Sequence, residues 1–143
     1  MPLADFKIAT HVRGQPFEVQ VIVYGSLSAL RSAATQYDNA QVSPKKRTRG
    51  DNADLCGVCH RFGNFDRDGN LKPLCAIVRY ADPYIGVGVI SHEMCHAAVW
   101  IRELSGEEEP LECANDETLC SVLGELVRQT INGMNERGLF DDD

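Results

Sequence analysis

Residues 89–104 read VISHEMCHAAVWIREL, and the spacing of the apolar residues in this stretch predicts a largely buried helix. The apolar positions that share one helix face are Val89, Ile90, Met94, Ala97, Ala98 and Ile101. Two histidines, His92 and His96, stand four residues apart, with Glu93 directly after the first. Residues four apart lie one turn above each other, so both imidazoles can point to the same side of the helix.

The chain before this helix begins with a predicted strand and a predicted helix. FEVQVIVYG (17–25) alternates apolar and polar residues at its start, which predicts a strand that ends at Gly25. SLSALRSAATQYD (26–38) predicts a helix that either Ser26 or Ser28 caps.

Two apolar segments that flank an Asp-Gly turn predict a β-hairpin. LCGVCHRFG (55–63) and LKPLCAIVRYA (71–81) lie on either side of FDRDGN (65–70), and the second arm has the stronger strand composition. FDRDGN also has the alternating oxygen side chains of a calcium loop. No glutamate is suitably placed to complete such a loop, so a hairpin turn is the preferred interpretation.

The order strand, helix, hairpin, helix, helix predicts an α+β fold. Residues 115–136 carry leucine and valine along one stripe and form the predicted last helix. We expect a single domain over residues 1–143, in which a small antiparallel or mixed sheet with a hairpin edge strand packs on the histidine-bearing helix and on the last helix. Residues 41–54, which include the basic run PKKRTRG, are predicted to be an exposed loop, and residues 138–143 an acidic tail.

Charge and hydropathy exclude several classes of function. The formal net charge of −7 argues against a general binder of nucleic acid or anionic membranes, because such proteins depend on a basic surface. The sequence lacks the apolar run of a signal peptide and any stretch long enough to span a membrane. We therefore expect a cytoplasmic protein whose six cysteines are thiols.

The paired histidines suggest a zinc site. Zinc sites that catalyse hydrolysis use three protein ligands and leave a fourth position open, and His92 and His96 would supply two of the three. We predict Glu117 as the third, because it opens the last helix 21 positions after His96 and the intervening loop is long enough to fold that helix back. Glu93 starts about 100° round the helix from His92, which suits a general base that acts on a metal-bound water.

Several residues near Glu117 compete with it or would support it. The competing ligands are Glu107, Glu108, Glu109, Glu112 and Cys113, of which the first three lie in a solvated acidic run. Asp116 is expected to orient a histidine from outside the ligand set. Gly124 and Cys120 share a helix face with Glu117, and we expect them to let the two helices approach closely beneath the ion.

These residues carry a family resemblance. SHEMCH followed by NDETLC resembles the H-E-x-x-H plus downstream glutamate pattern of the gluzincin branch of zincin metallopeptidases. The chain is most similar to small, single-domain members of phage or prophage type, and the resemblance covers roughly residues 55–135. It implies a zincin-like fold, a bound Zn2+ and hydrolysis of a peptide or protein substrate. It also implies that the strand before the active helix, LCAIVRYA (74–81), is the edge that binds extended peptide.

The residue that would stabilise the oxyanion stays open at this stage. His60, Tyr80, Tyr84 and Arg79 are the candidates, and the sequence does not choose among them. Cys56, Cys59 and His60 also spell the C-x-x-C-H pattern of covalent haem attachment, which the absence of an export signal disfavours. A second metal at these residues together with Cys75 stays open, beside the simpler interpretation of buried thiols.

Two other functions compete with a peptidase. One is a catalytically silent protein that keeps the zincin fold and acts by interaction, such as a phage or plasmid antagonist of a host factor. The other is a zinc amidase that acts on a non-peptide amide. The presence of Glu93 favours an enzyme, because loss of this base is the usual mark of an inactive zincin. So short a chain predicts a shallow groove, which a partner or a homo-oligomer would complete.

Overall fold

The computed structural model describes residues 1–42, 56–107 and 116–139, which contain four strands and three helices. In chain order these are β1 (Ala4–Val12), β2 (Gln15–Tyr24), α1 (Leu27–Ala40), β3 (Gly57–Arg61), β4 (Leu74–Ala81), α2 (Val87–Leu104) and α3 (Glu117–Glu136). The strands form one mixed sheet in the order β1-β2-β4-β3, with β2 and β4 parallel and the other two pairs antiparallel. The predicted α+β class with a small mixed sheet is confirmed.

The structure contains a strand, β1, that the sequence analysis does not predict. Its side chains alternate between buried and exposed from Ala4 to Val12, as expected for a strand with one face on the core. Arg13 and Gly14 connect it to β2 in a two-residue turn in which both residues have positive φ (52° and 79°). Turns of this type usually have the sequence Asn-Gly or Asp-Gly. Because arginine occupies the first position here, the sequence carries no clear signal for the β1–β2 hairpin.

The predicted hairpin between β3 and β4 is confirmed. Asp66 shapes its connection, because its Oδ1 accepts hydrogen bonds from the backbone N–H groups of Asp68 and Asn70, both at 2.9 Å. The prediction that LCAIVRYA (74–81) forms the open edge is wrong, since β4 lies between β2 and β3. Its nearly continuous apolar run suits a strand that is covered on both faces. The edge strand of the hairpin is β3.

Helices cover both faces of the sheet. α1 packs on one face, where the ring of Tyr37 lies 4.1 Å from that of His60 on β3. α2 and α3 pack on the other face, where Gly57 of β3 approaches Glu93 of α2. The largest fully buried side chains are Tyr80, Phe17, Leu30, Ile90, Met94, Ile101, Leu126, Met134, Val19, Val21, Val23 and Val78. No helix in the described ranges combines the length and the apolar character that a membrane crossing requires.

Side chains cap the starts of α1 and α3, and the cap of α1 is one of the two serines that the sequence predicts. Ser26 caps α1, because its Oγ accepts a hydrogen bond from the N–H of Ala29 at 3.1 Å. Asp116 caps α3 in the same way, by accepting from the N–H of Leu119 at 2.8 Å. Both side chains satisfy backbone donors that have no partner within the first helical turn.

The predicted acidic tail, residues 138–143, begins within the helix ending. Gly138 has a positive φ of 70°, and the N–H of Leu139 donates to the carbonyl of Met134 at 2.9 Å, which closes α3 in a Schellman motif. Leu139 also packs against the core, so only the remainder of the tail falls outside the described residues. The predicted basic loop, residues 41–54, falls outside them apart from its first two, which are exposed.

A glycine in α3 sets the distance between this helix and the sheet. A Cβ on Gly133 would lie 2.5 Å from the ring of Phe6 on β1, and the Arg137 guanidinium lies 4.2 Å from the centroid of the same ring. Gly124 is exposed, and a Cβ there would meet no atom within 4 Å. Cys120 is exposed as well. The expectation that Gly124 and Cys120 permit a close contact between α2 and α3 is therefore wrong.

We predict that Gly133→Ala lowers the free energy of unfolding by about 1–3 kcal/mol, because the added methyl group overlaps the ring of Phe6 and forces the helix and the strand apart. Gly124→Ala is the matched control in the same helix and should raise that free energy by about 0.5–1 kcal/mol. Urea denaturation measures both. Equal stability of the two variants would contradict this account of the α3–β1 contact.

Candidate functional site

The burial of one face of α2 decides where its polar residues point. Five side chains of this helix are fully buried, as the sequence predicts for its apolar face: Ile90, Met94, Ala97, Ala98 and Ile101. His92 and His96 are exposed, and their ring centroids lie 5.0 Å apart in an edge-to-face arrangement. Glu93 is buried, with 8% of its surface exposed, between the histidines and the sheet. The structure thus brings three of the four predicted site residues together.

The other wall of the site is the edge strand β3. Gly57 and Arg61 of this strand line, with α2, a cleft of about 300 Å³. Among the described residues, seven line the cleft: Gly57, Val58, Cys59, Arg61, His92, Glu93 and His96. A Cβ on Gly57 would lie 3.1 Å from Cγ of Glu93 and 3.2 Å from Cγ1 of Val89, tighter than most real Cβ contacts. Glycine at this position therefore lets the strand and the helix approach closely enough to enclose the Glu93 side chain.

Burial changes the proton affinity of two groups in the cleft. It raises the pKa of Glu93 above its usual value, and the neighbouring His92 and His96 oppose that shift. His92 Nε2 lies 4.0 Å from Glu93 Oε1. Burial, with a smaller contribution from Glu93, also raises the pKa of Cys59 to about 12. Cys59 is therefore a neutral thiol near pH 7, and Glu93 holds a proton more readily than an exposed carboxylate.

Glu117 does not line this cleft. It is exposed and lies beside a separate groove of about 260 Å³ at the end of β1, together with His11 and Ser121. The position follows from the contact between Arg102 and Asp116, which places the start of α3 next to the end of α2. Arg102 is six residues beyond His96, or about 9 Å along the helix axis. The prediction of Glu117 as third ligand gains no support from this arrangement.

Asp116 serves the helices rather than a histidine. Its Oδ2 accepts a hydrogen bond from Nε of Arg102 at 2.5 Å while its Oδ1 caps α3. The backbone N–H of Leu119 and the Arg102 guanidinium both hold the pKa of Asp116 below its usual value. The expectation that Asp116 orients an imidazole is wrong, because its two oxygens are used to join α2 to α3.

One of the competing ligand candidates, Glu107, lies within the described residues. Glu107 forms an ion pair with Arg13 at 2.9 Å. The other competitors fall outside the described residues: Glu108, Glu109, Glu112 and Cys113. Within residues 1–42, 56–107 and 116–139, no three His, Cys, Asp or Glu side chains form a group that could hold a metal ion.

The residues suggested for a second metal do not all lie on one face of the sheet. Cys59 faces α2, whereas its neighbour His60 faces α1, where its Nε2 lies 3.0 Å from Asp38. Cys75 is buried, and burial raises its pKa to about 12; Cys56 is exposed. Neighbours in a strand point to opposite faces, so His60 and Cys59 cannot both face one ion without breaking the strand.

None of the four suggested oxyanion donors lines the cleft. The hydroxyl of Tyr80 is buried and donates to the carbonyl of Ile90 at 3.2 Å. Arg79 faces α1 and donates to Nδ1 of His60 at 2.7 Å, and Tyr84 is exposed outside the cleft. Within the part of the chain that the structure describes, the cation that lines the cleft is Arg61, which the sequence analysis does not single out. The alternation of Gly57, Cys59 and Arg61 along β3 is the sequence signal that could have identified it, because residues two apart in a strand share one face.

No known protein family, no curated protein and no solved structure matches this chain. The resemblance to zincin metallopeptidases therefore rests on the residues of the motif.

We predict that Glu93→Gln stabilises the metal-free protein at neutral pH. The raised pKa means that the folded state binds the Glu93 proton more tightly than the unfolded state does, so the carboxylate costs stability as pH rises from the unfolded pKa, about 4.3, through the folded one. Glutamine bears no such cost. Urea denaturation at several pH values should show an advantage of Glu93→Gln at pH 7 that shrinks below pH about 4. A constant difference across this range would contradict the assignment.

Proposed function

We propose that this protein is a zinc-dependent hydrolase that cleaves peptide bonds in the cleft between α2 and β3. The observation that carries the proposal is that His92, Glu93 and His96 line the same cleft, and that the edge strand β3 forms its opposite wall. A glutamate buried beside two histidines costs stability, which is expected of a working site rather than of a core helix.

The two histidines fit a zinc ion. Neutral imidazoles are common zinc ligands, and His92 and His96 present theirs one turn apart on the open side of α2. A zinc ion bound there would supply a Lewis acid and lower the pKa of water. A third protein ligand is still required. Glu117 stays the prediction from the sequence, and the competing candidates are Glu107, Glu108, Glu109, Glu112 and Cys113.

Glu93 supplies the proton transfer. Its carboxylate takes a proton from the attacking water and delivers it to the leaving amine nitrogen. In the metal-free protein, burial against β3 raises the pKa of Glu93, and a higher pKa makes a carboxylate a stronger base. The close approach at Gly57 limits the positions that the side chain can adopt.

β3 supplies the binding surface for an extended chain. Within the described residues, it is an edge of the sheet and pairs on one side only, with β4. The backbone N–H and C=O groups on its other side are suited to binding a peptide as an added strand beside the reactive residues. This replaces β4 as the predicted peptide-binding edge.

A catalytically silent interaction protein is the competing function. The net charge of −7 supports it, because an acidic surface can cover a basic partner such as a host factor. The two functions differ in whether Glu93 matters, since a silent protein needs the shape of the site and not its base. Cytoplasmic location and assembly as a homo-oligomer stay predictions.

We predict that the purified protein binds about one zinc ion per chain and that His92→Ala or His96→Ala abolishes this binding, because each variant removes a ligand. Elemental analysis after dialysis against zinc measures the stoichiometry. His11→Ala, which removes an exposed histidine outside the cleft, is the control and should keep the zinc. Zinc retained equally by all three variants would place the metal elsewhere.

The same measurement identifies the third ligand. Glu117→Gln, Glu112→Gln and Cys113→Ser each remove one candidate while keeping its approximate shape. A variant that loses zinc affinity while the other two retain it identifies its residue as the ligand, and retention in all three would direct the same test to Glu107, Glu108 and Glu109. Retention in Glu117→Gln would end the role of Glu117 and leave the rest of the proposal standing.

We predict that Glu93→Gln keeps the fold and the zinc but lowers peptide cleavage by about 10²–10⁴-fold, because it removes the general base. Mass spectrometry of a peptide pool incubated with each protein measures the cleavage. Equal cleavage by wild type and variant would assign it to a contaminant. A zinc-loaded wild type that cleaves nothing, with a biological effect that survives Glu93→Gln, would favour the interaction protein.

A further inference from the structure

The cleft has two distinguishable ends because β3 and α2 lie side by side. At one end, Gly57 lies against Val89 and Glu93. At the other end, the Arg61 guanidinium lies over the ring of Trp100, 5.8 Å from its centroid. Trp100 follows His96 by four residues, one turn or about 6 Å along the helix axis. Arg61 therefore lies at the level of the helical turn that follows His96, at the end of the cleft opposite Gly57.

The structure holds Arg61 in place and leaves its charge available. The ring beneath it is fixed, because Nε1 of Trp100 donates to the carbonyl of Phe62 at 3.0 Å. A guanidinium within about 6 Å of an indole ring is attracted to its face. Arg61 is exposed to the cleft, and none of the ion pairs among the described residues involves it. Its hydrogen-bond donors can therefore reach a group that enters from solvent.

The charge of the whole chain makes this position selective. A net charge of −7 disfavours the approach of anionic ligands to the protein as a whole. A guanidinium presents its N–H groups in a planar fork that matches a carboxylate and binds it with two parallel hydrogen bonds. A carboxylate at this end of the cleft would gain an attraction that a neutral group would not.

We propose that Arg61 binds a carboxylate of the substrate and so makes the enzyme selective for acidic peptides. An extended peptide advances about 3.3 Å per residue, so the axial spacing of about 6 Å between His96 and Trp100 corresponds to about two residues along a bound chain. This inference rests on the proposed peptidase function. The carboxylate has two chemical sources, an Asp or Glu side chain within the peptide or the free carboxyl terminus.

Two synthetic decapeptide libraries test the inference and separate the sources. Both contain the same randomised, N-acetylated sequences; one has a free carboxyl terminus and the other an amidated one. Wild-type protein loaded with zinc is incubated with each, and mass spectrometry identifies the cleaved bonds. An enrichment of Asp or Glu one or two residues from the cleaved bond in the amidated library assigns a side-chain carboxylate. Cleavage confined to bonds near the end of the free-acid library assigns the terminal carboxylate.

Three variants connect the preference to Arg61. Arg61→Gln should lose it, so that the ratio of kcat/KM on an acidic peptide to kcat/KM on the matched Asn or Gln peptide falls by about tenfold or more. Arg61→Glu should turn the preference towards Lys and Arg at the same position. Arg67→Gln, in the exposed hairpin turn, removes an equal charge outside the cleft and should leave the preference unchanged.

The outcomes separate this inference from the function beneath it. Glu93-dependent cleavage without an acidic preference, or with the same preference in Arg61→Gln, would overturn the role of Arg61 and leave the peptidase intact. Absence of Glu93-dependent cleavage would overturn both. Loss of the preference in Arg67→Gln as well would assign it to net charge rather than to the cleft. Thermal melting checks that the variants stay folded.

Discussion

The apolar face of α2 must be buried between the sheet and α3, and this burial determines the orientation of every other residue on the helix. Met94 and Ile101 on this face are fully buried, and each contributes about 1.5–3 kcal/mol relative to an exposed side chain. With the helix rotation fixed in this way, His92 and His96 face outwards, and Glu93 points between them and β3. The orientation that stabilises the core is therefore the orientation that assembles the cleft, and it offsets the cost of burying a carboxylate.

A polar network on the opposite face of the sheet supports the wall of the cleft. The Arg79 guanidinium donates to Nδ1 of His60, so the neutral ring carries its proton on Nε2 and donates it to Asp38. Burial, and then the charge of Arg79, lower the pKa of His60, which favours this neutral form. Tyr24 and Tyr37 satisfy the rest of the guanidinium through a hydrogen bond and a ring contact. The network joins β3 to β4 and α1, which keeps a short edge strand in position against α2.

The contact between α2 and α3 explains why the cleft contains His92 and His96 but not Glu117. A buried arginine requires an anionic partner, and Arg102 takes Asp116, the cap of α3. This contact aligns the start of α3 with the last turn of α2, beyond the level of His96. The sequence shows that Glu117 follows His96 at a plausible distance along the chain. It does not show that Asp116, the residue before Glu117, forms an ion pair with Arg102.

The sequence by itself determined the elements whose signals are local. The 3.6-residue period specified α2 and the placing of His92, Glu93 and His96 around it, and the Asp-Gly turn specified the β3–β4 hairpin. Only the tertiary structure decided which strand forms the edge and which residues face the motif across the cleft. Strand order depends on pairing between segments far apart in the chain. Because β2 pairs in parallel with β4, the edge strand is β3 and not, as the sequence predicts, β4. For the same reason the roles of Gly57 and Arg61 appear only when β3 lies against α2.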